Sequence, residues 1–124
     1  MNTICTITET VTRDNTADTV GSGDLPVYAT PAMAALMEKA AKTAAKELLG
    51  EGETTVGSEL DIKHLRPSVI GASITATATL TAQEGRKLVF DVEASDGSGI
   101  IGSGNHTRYI VNIEKFMAKA GSTA

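Results

Sequence analysis

The segment between residues 31 and 49 limits the choice of fold more than any other part of the chain. Thr30 followed by Pro31 predicts an N-cap and a first helical residue, and Gly50 predicts the C-terminal stop. Apolar residues recur inside these limits at helical spacing over four turns: Met33, Leu36, Met37, Ala40, Ala41, Ala44, Ala45 and Leu48. Because most of this stripe is alanine, another backbone can come close to it. We therefore predict a long helix over residues 31–49 that a curved sheet could wrap around.

The rest of the chain is patterned for strands. Residues 2–13 are rich in Thr, Ile and Val and predict a first strand, whereas Gly, Asn, Ser and Asp predict a loop over residues 14–24. Turn signals at Glu84-Gly85 and Asp96-Gly97 predict tight hairpins. After Gly52 we predict four further strands, at residues 58–65, 74–82, 88–94 and 100–112. A short helix is predicted to follow at residues 113–120.

This order of elements predicts an α+β fold. Short hairpins require an antiparallel sheet, and one long helix must bury its apolar stripe against that sheet. A curved antiparallel sheet wrapped around one long central helix is the hotdog fold. The length of 124 residues predicts a single domain over residues 1–124.

Charge and composition exclude several classes of function. The formal net charge of −4 argues against general nucleic-acid binding, which needs a basic face. The sequence contains no run of about 18 apolar residues, so no membrane span is predicted. Residues 1–6 do not resemble a signal peptide. The single cysteine, Cys5, can form neither an internal disulfide nor a zinc site. These features predict a cytoplasmic protein without a nucleic-acid or membrane partner.

Three isolated polar residues are candidates for chemistry, because no common catalytic motif is present. His64 shares a strand face with Leu60 and Ile62, so it is either an inward-facing general base or a core histidine with one hydrogen bond. Glu38 lies on the shoulder of the helical stripe, where it is a reactive carboxylate or a partner of Lys42. Thr30 is explained by the N-cap, although a hydroxyl at a helix start can also serve a reaction.

Four stretches of the chain resemble one known family. They are Tyr28-Ala29-Thr30 leading into Leu36-Met37-Glu38, Gly57 with Ile62-Lys63-His64, the hairpin at residues 82–88, and Ile101 to Arg108 followed by Ile113-Glu114-Lys115-Phe116. Together they resemble the hotdog-fold acyl-CoA thioesterases, and most closely the fluoroacetyl-CoA thioesterase-like branch. The resemblance covers about residues 25–120.

The resemblance implies an enzyme that hydrolyses acyl-CoA to a carboxylic acid and CoA. Thr30, Glu38 and His64 match the family's catalytic set, the Gly57 amide matches a donor to the thioester carbonyl, and Arg108 matches an active-site arginine. Glu38 would attack the carbonyl or activate the attacking water. The family also implies a homodimer with active sites at its interface. CoA is part of the substrate, so neither a cofactor nor a metal is expected.

One departure from the family bears on the substrate. The fluoroacetyl branch places an aromatic lid before the helix, whereas Gly23 to Val27 contains no aromatic residue here. We therefore expect a short or medium acyl-CoA rather than fluoroacetyl-CoA. The alternative function is a non-catalytic hotdog module that binds acyl-CoA or an acyl carrier. A hotdog dehydratase is a weaker option, because its usual Asp/His pairing is not evident.

Overall fold

A computed structural model describes residues 3–122 and contains five strands and one long helix, with short helices beside them. The elements in chain order are β1 (Ile4–Thr10), α1 (Ala17–Val20), α2 (Thr30–Ala45), β2 (Glu53–His64), β3 (Ser73–Glu84), β4 (Lys87–Asp96), β5 (Gly99–Asn112) and α3 (Ile113–Ser122). Short 3-10 turns cover Arg13–Asn15 and Lys46–Leu48. None of the helices within residues 3–122 has the length and apolar character needed to cross a membrane.

The five strands form one antiparallel sheet in the order β1-β3-β4-β5-β2. Tight turns connect β3 to β4 and β4 to β5, as the sequence predicts. The register shifts at three bulges, of which one lies between Gly57 and Glu59 on β2. The edges of the sheet are β1 and β2. The predicted α+β hotdog architecture is therefore confirmed.

Small residues bring α2 close to the sheet. The predicted stripe is buried from Met33 to Ala45, and it faces alternating buried residues of the sheet such as Ala76, Ala78 and Ala94. On β5, Gly102 also allows a close approach of the helix, because a Cβ at this position would lie 2.6 Å from the Met33 sulfur atom. The aliphatic core is thin because alanine and glycine hold the helix near the strands.

Several predicted boundaries were wrong. The first strand ends at Thr10, because Val11 turns inward and is buried, and Asn2 lies outside the described residues. The predicted loop over residues 14–24 contains α1, which Gly21 ends in a left-handed conformation with φ of 93°. Helix α2 ends at Ala45, before a 3-10 turn. Gly50 does not stop the helix; its N–H donates to Glu53 at the start of β2, five residues before the predicted start.

Candidate active site

The first cluster joins the start of α2 to the end of β2. Thr30 is the first residue of α2, and its Oγ1 lies 2.8 Å from Nδ1 of His64, the last residue of β2. The prediction that Thr30 is the N-cap was wrong, because Ala29 occupies that position in an extended conformation and makes no side-chain cap. The Thr30 hydroxyl bonds to the imidazole instead of to the helix N-terminus.

His64 lies at the wall of a cleft. Its ring stands edge-on to that of Tyr28, with centroids 6.4 Å apart. Burial lowers the pKa of His64 below the usual 6.5, and the nearby Arg66 main chain has a smaller opposing effect. Its Nε2 is buried and has no hydrogen-bond partner within residues 3–122. A cleft of about 260 Å³ lined by Tyr28, Thr30 and His64 opens beside the ring, so a neutral imidazole borders space for a ligand.

Tyr28 forms a fixed wall of this cleft. Its side chain is 1% exposed, and its hydroxyl donates to Glu9 Oε2 at 2.5 Å. The pKa of Tyr28 lies far above its usual value, because the ring is buried and the hydroxyl faces a carboxylate. The aromatic residue nearest to the segment before α2 is thus held in the core and is not available as a lid.

The second cluster forms around Glu38, two turns farther along α2. The ion pair with Lys42 that helical spacing suggested does not form, since neither residue takes part in a salt bridge within residues 3–122. Glu38 points to β2 instead: a Cβ added to Gly57 would lie 3.0 Å from Glu38 Oε2 and 3.3 Å from Arg108 Nη1. Glycine at position 57 therefore leaves room for a carboxylate and a guanidinium at the same point of the edge strand.

Arg108 is buried and held by β2. Its Nε donates to Thr55 Oγ1 at 2.8 Å, its Nη2 donates to the Thr55 carbonyl at 2.9 Å, and its Nη1 lies 3.2 Å from Nε2 of His106. Burial lowers the pKa of Arg108, and the nearby Glu38 charge opposes this change. The predicted site residue is therefore a desolvated cation fixed next to Glu38.

His106 also belongs to this cluster, although it was not among the candidate residues predicted from the sequence. Its Nδ1 lies 2.8 Å from the Glu59 carbonyl oxygen, which can only accept, so Nδ1 carries the proton and Nε2 accepts from Arg108. Burial lowers the pKa of His106, and the charge of Arg108 adds to this effect. A neutral His106 therefore orients the guanidinium. Its alternation with Arg108 on β5 was the signal that could have identified it.

The structure does not bring the three predicted catalytic residues into one cluster within a single chain. Thr30 and Glu38 are eight residues apart on α2, which is about 12 Å of helix. Gly57 and His64 are seven residues apart on β2, or about 23 Å of extended strand. One cluster thus contains Thr30 and His64, and the other contains Glu38, Gly57, His106 and Arg108. No group of ligating side chains suited to a metal occurs within residues 3–122.

Comparisons with known proteins agree on one family. A family model described as fluoroacetyl-CoA-specific thioesterase matches residues 11–114. The chain is 41% identical to the fluoroacetyl-CoA thioesterase of Streptantibioticus cattleyicolor over 93 residues, which cover 75% of this chain and 67% of that protein. A solved structure of the fluoroacetyl-CoA thioesterase FlK is 33% identical, with a TM-score of 0.91 over 98% of this chain and 94% of that one. A thioesterase superfamily member from Thermus thermophilus is 29% identical, with a TM-score of 0.90 over 97% and 89%.

Proposed function

The chain belongs to the family of fluoroacetyl-CoA-specific thioesterases, and from this premise we propose that it hydrolyses a short- or medium-chain acyl-CoA to the carboxylic acid and CoA. One observation carries the proposal: the Glu38 carboxylate and the Arg108 guanidinium both lie beside the position that a Cβ of Gly57 would occupy. A nucleophile or base thereby stands next to donors that can bind a carbonyl oxygen. A variant of FlK, 33% identical to this chain, has been solved with fluoroacetate and CoA, which supports a CoA thioester as the substrate class.

The acyl group follows from the segment before α2. Residues 23–27 contain no aromatic side chain, and Tyr28 is fixed in the core by Glu9. Without an aromatic lid, nothing in this segment selects for a fluorinated acetyl group. A general short or medium acyl chain is therefore the proposed substrate.

The site residues divide the reaction between attack and proton transfer. Glu38 attacks the thioester carbonyl, or removes a proton from the water that attacks it. The Gly57 N–H and Arg108 stabilise the negative oxygen, and one such donor contributes about 3–4 kcal/mol. His64, neutral because of its lowered pKa, handles the proton while the CoA thiolate leaves. Thr30 holds the imidazole through its hydroxyl. The products are the carboxylic acid and the thiol, and water supplies the added atoms.

These roles require a homodimer, because the two clusters are separated within one chain. Strand β2 is an edge strand that pairs only with β5, so its free edge can pair with a second copy. An antiparallel pair of β2 strands centred on Asp61 would set Lys63 against Glu59 of the second copy. The same register would set His64 beside the Gly57 bulge of that copy. Lys63 of each copy would lie next to the two Asp61 carboxylates at the centre of the pair. Each composite site would then combine Thr30 and His64 of one copy with Glu38 of the other.

The proposed chemistry needs no cofactor or metal, since water is the only co-substrate and CoA belongs to the substrate. A cytoplasmic location is part of the proposal. It is supported by the free thiol of Cys5, half-buried in β1, which suits a reducing compartment.

Release of free thiol from a panel of acyl-CoAs tests the proposal. We expect the wild type to hydrolyse at least one short or medium acyl-CoA. In Glu38→Gln, kcat should fall about 100-fold or more, which is the usual effect of removing one catalytic group. Glu47→Gln, which removes an exposed carboxylate just beyond α2, is the matched control. Tight CoA binding without thiol release would instead identify the non-catalytic module, and full activity in Glu38→Gln would remove the site assignment.

A further inference from the structure

A second cleft lies at the far end of β5, where α3 packs beside the β3–β4 turn. Its volume is about 350 Å³, and it is lined by Arg86, Lys115, Phe116 and Lys119 together with the end of β5. None of the roles proposed above uses these residues.

The cleft concentrates positive charge on an acidic protein. The chain has 11 basic and 15 acidic residues, yet this lining contains three cations and no carboxylate. Lys115 and Lys119 are four residues apart on α3, so they share a face, and like charges at this spacing are unfavourable without an anion between them. Arg86 is held at the rim by Glu53 at 3.1 Å and by the Ile110 carbonyl at 3.3 Å, both through Nη1. The remaining N–H groups of Arg86 make no hydrogen bond within residues 3–122, and lysines and arginines of this kind bind phosphates.

The cleft also has an apolar side suited to a flat ring. Phe116 is 41% exposed and lines the cleft with Lys115 and Lys119, and the aliphatic residues Ile110 and Val111 belong to the same lining. A heteroaromatic base can stack on such a ring while cations bind phosphates attached to it. The combination fits a phosphorylated nucleoside better than a simple anion or a lipid.

The distance to the reacting centre matches the length of the CoA arm. Asn112 at the cleft lies four residues from Arg108 on β5, which is about 13 Å of strand. The arm between the thioester sulfur and the first phosphorus of CoA has about thirteen bonds, comparable to four extended residues or about 14 Å. An arm lying along the β2–β5 pair would therefore join Gly57 to this cleft.

We propose that the cleft of Arg86, Lys115, Phe116 and Lys119 binds the phosphorylated adenosine of CoA, with the base on Phe116 and the phosphates on the cations. This inference rests on the proposed thioesterase function. It assigns substrate affinity to α3 and the chemistry to the Glu38 and His64 clusters.

The experiment compares acetyl-CoA with acetylpantetheine, which carries the same thioester without phosphates or adenosine. In Lys115→Ala/Lys119→Ala, we expect the ratio of kcat/KM for acetyl-CoA to that for acetylpantetheine to fall about 10- to 100-fold, through KM. The preference of the wild type for acetyl-CoA should also weaken as salt is raised. Lys42→Ala, which removes an exposed lysine of α2, should leave this ratio as it is in the wild type.

A ratio that does not change in the double variant would overturn the proposal, as would an equal loss on both substrates. Calorimetry with adenosine 3′,5′-bisphosphate tests the site without catalysis. Binding that is present in the wild type and at least tenfold weaker in the double variant supports the site even if no thioester is hydrolysed. Nucleotide binding without any thioester hydrolysis would therefore count against the proposed function but not against the nucleotide site. No binding to the wild type would refute the nucleotide site.

Discussion

Substitution of Gly57 by alanine perturbs the point where the Glu38 cluster meets the edge strand. An added Cβ would lie 3.0 Å from Glu38 Oε2, 3.1 Å from His106 Cε1 and 3.3 Å from Arg108 Nη1. Ordinary contacts of a Cβ begin at 3.4 Å, so the carboxylate must retreat by about 0.4 Å while the two other side chains also move. The methyl group would also occupy part of the space that the substrate carbonyl needs.

The cost should appear in the reaction far more than in folding. A displacement of 1 Å in a reacting group can cost about 100-fold in rate, so we expect kcat of Gly57→Ala to fall about 10- to 100-fold, or about 1.4–2.7 kcal/mol in the barrier. The atoms that must move are the far ends of side chains, and Gly57 is exposed, so the free energy of unfolding should change by less than about 1 kcal/mol.

Thiol release and urea unfolding measure these two quantities on the same preparation. Gly97→Ala is the matched control, because a Cβ at that hairpin position meets nothing within 4 Å. Gly97→Ala should have normal activity, and the free energy of unfolding should change by less than about 1 kcal/mol in both variants. Wild-type kcat in Gly57→Ala would refute the reasoning that places the reaction at this glycine.

Three further predictions address the cleft, the packing and the pH dependence. Thr30→Val removes the hydroxyl that contacts His64 and should lower kcat/KM at least tenfold, whereas Thr30→Ser should retain most of it in the same thiol assay. Gly104→Ala should lower the free energy of unfolding by about 3 kcal/mol in urea titrations, because its Cβ would collide with the main chain of Asp61; an unchanged midpoint would contradict the packing. Because burial keeps His64 and His106 neutral in the fold while the unfolded chain binds protons near pH 6.5, stability should be full above that pH and decline as the pH falls below it. Urea titrations between about pH 7.5 and 5.5 measure the decline, and His106→Gln should make it shallower.

Hydrophobic periodicity determined how much of the fold could be predicted. The stripe from Met33 to Ala45 and the alternation on β3 and β4 repeat often enough to identify a helix and strands without tertiary information. Helix α1 was missed because it has only four residues among turn-forming ones. The start of β2 was missed because Glu53 to Gly57 becomes a strand only through its pairing with β5.

The sequence suggested candidate residues for a site, but it could not show how they are arranged. Thr30 was taken as a cap because a threonine before a proline usually caps, whereas here His64 reaches its hydroxyl across the fold. Glu38 was given Lys42 as its alternative partner, since helical spacing cannot show that an edge glycine and a buried arginine lie closer. The separation into two clusters depends on the positions of α2 and β2 in space, which no local pattern encodes.

The central claim is that one site combines Glu38 of one copy with Thr30 and His64 of another, and subunit mixing tests it most directly. Glu38→Gln and His64→Ala are each expected to be inactive, but a dimer of one copy of each retains one intact composite site. Equal mixing with free exchange makes about half of the dimers mixed, so about a quarter of wild-type activity should return. Native mass spectrometry would establish that mixed dimers have formed. Mixed dimers with no more activity than the two parents would contradict the account.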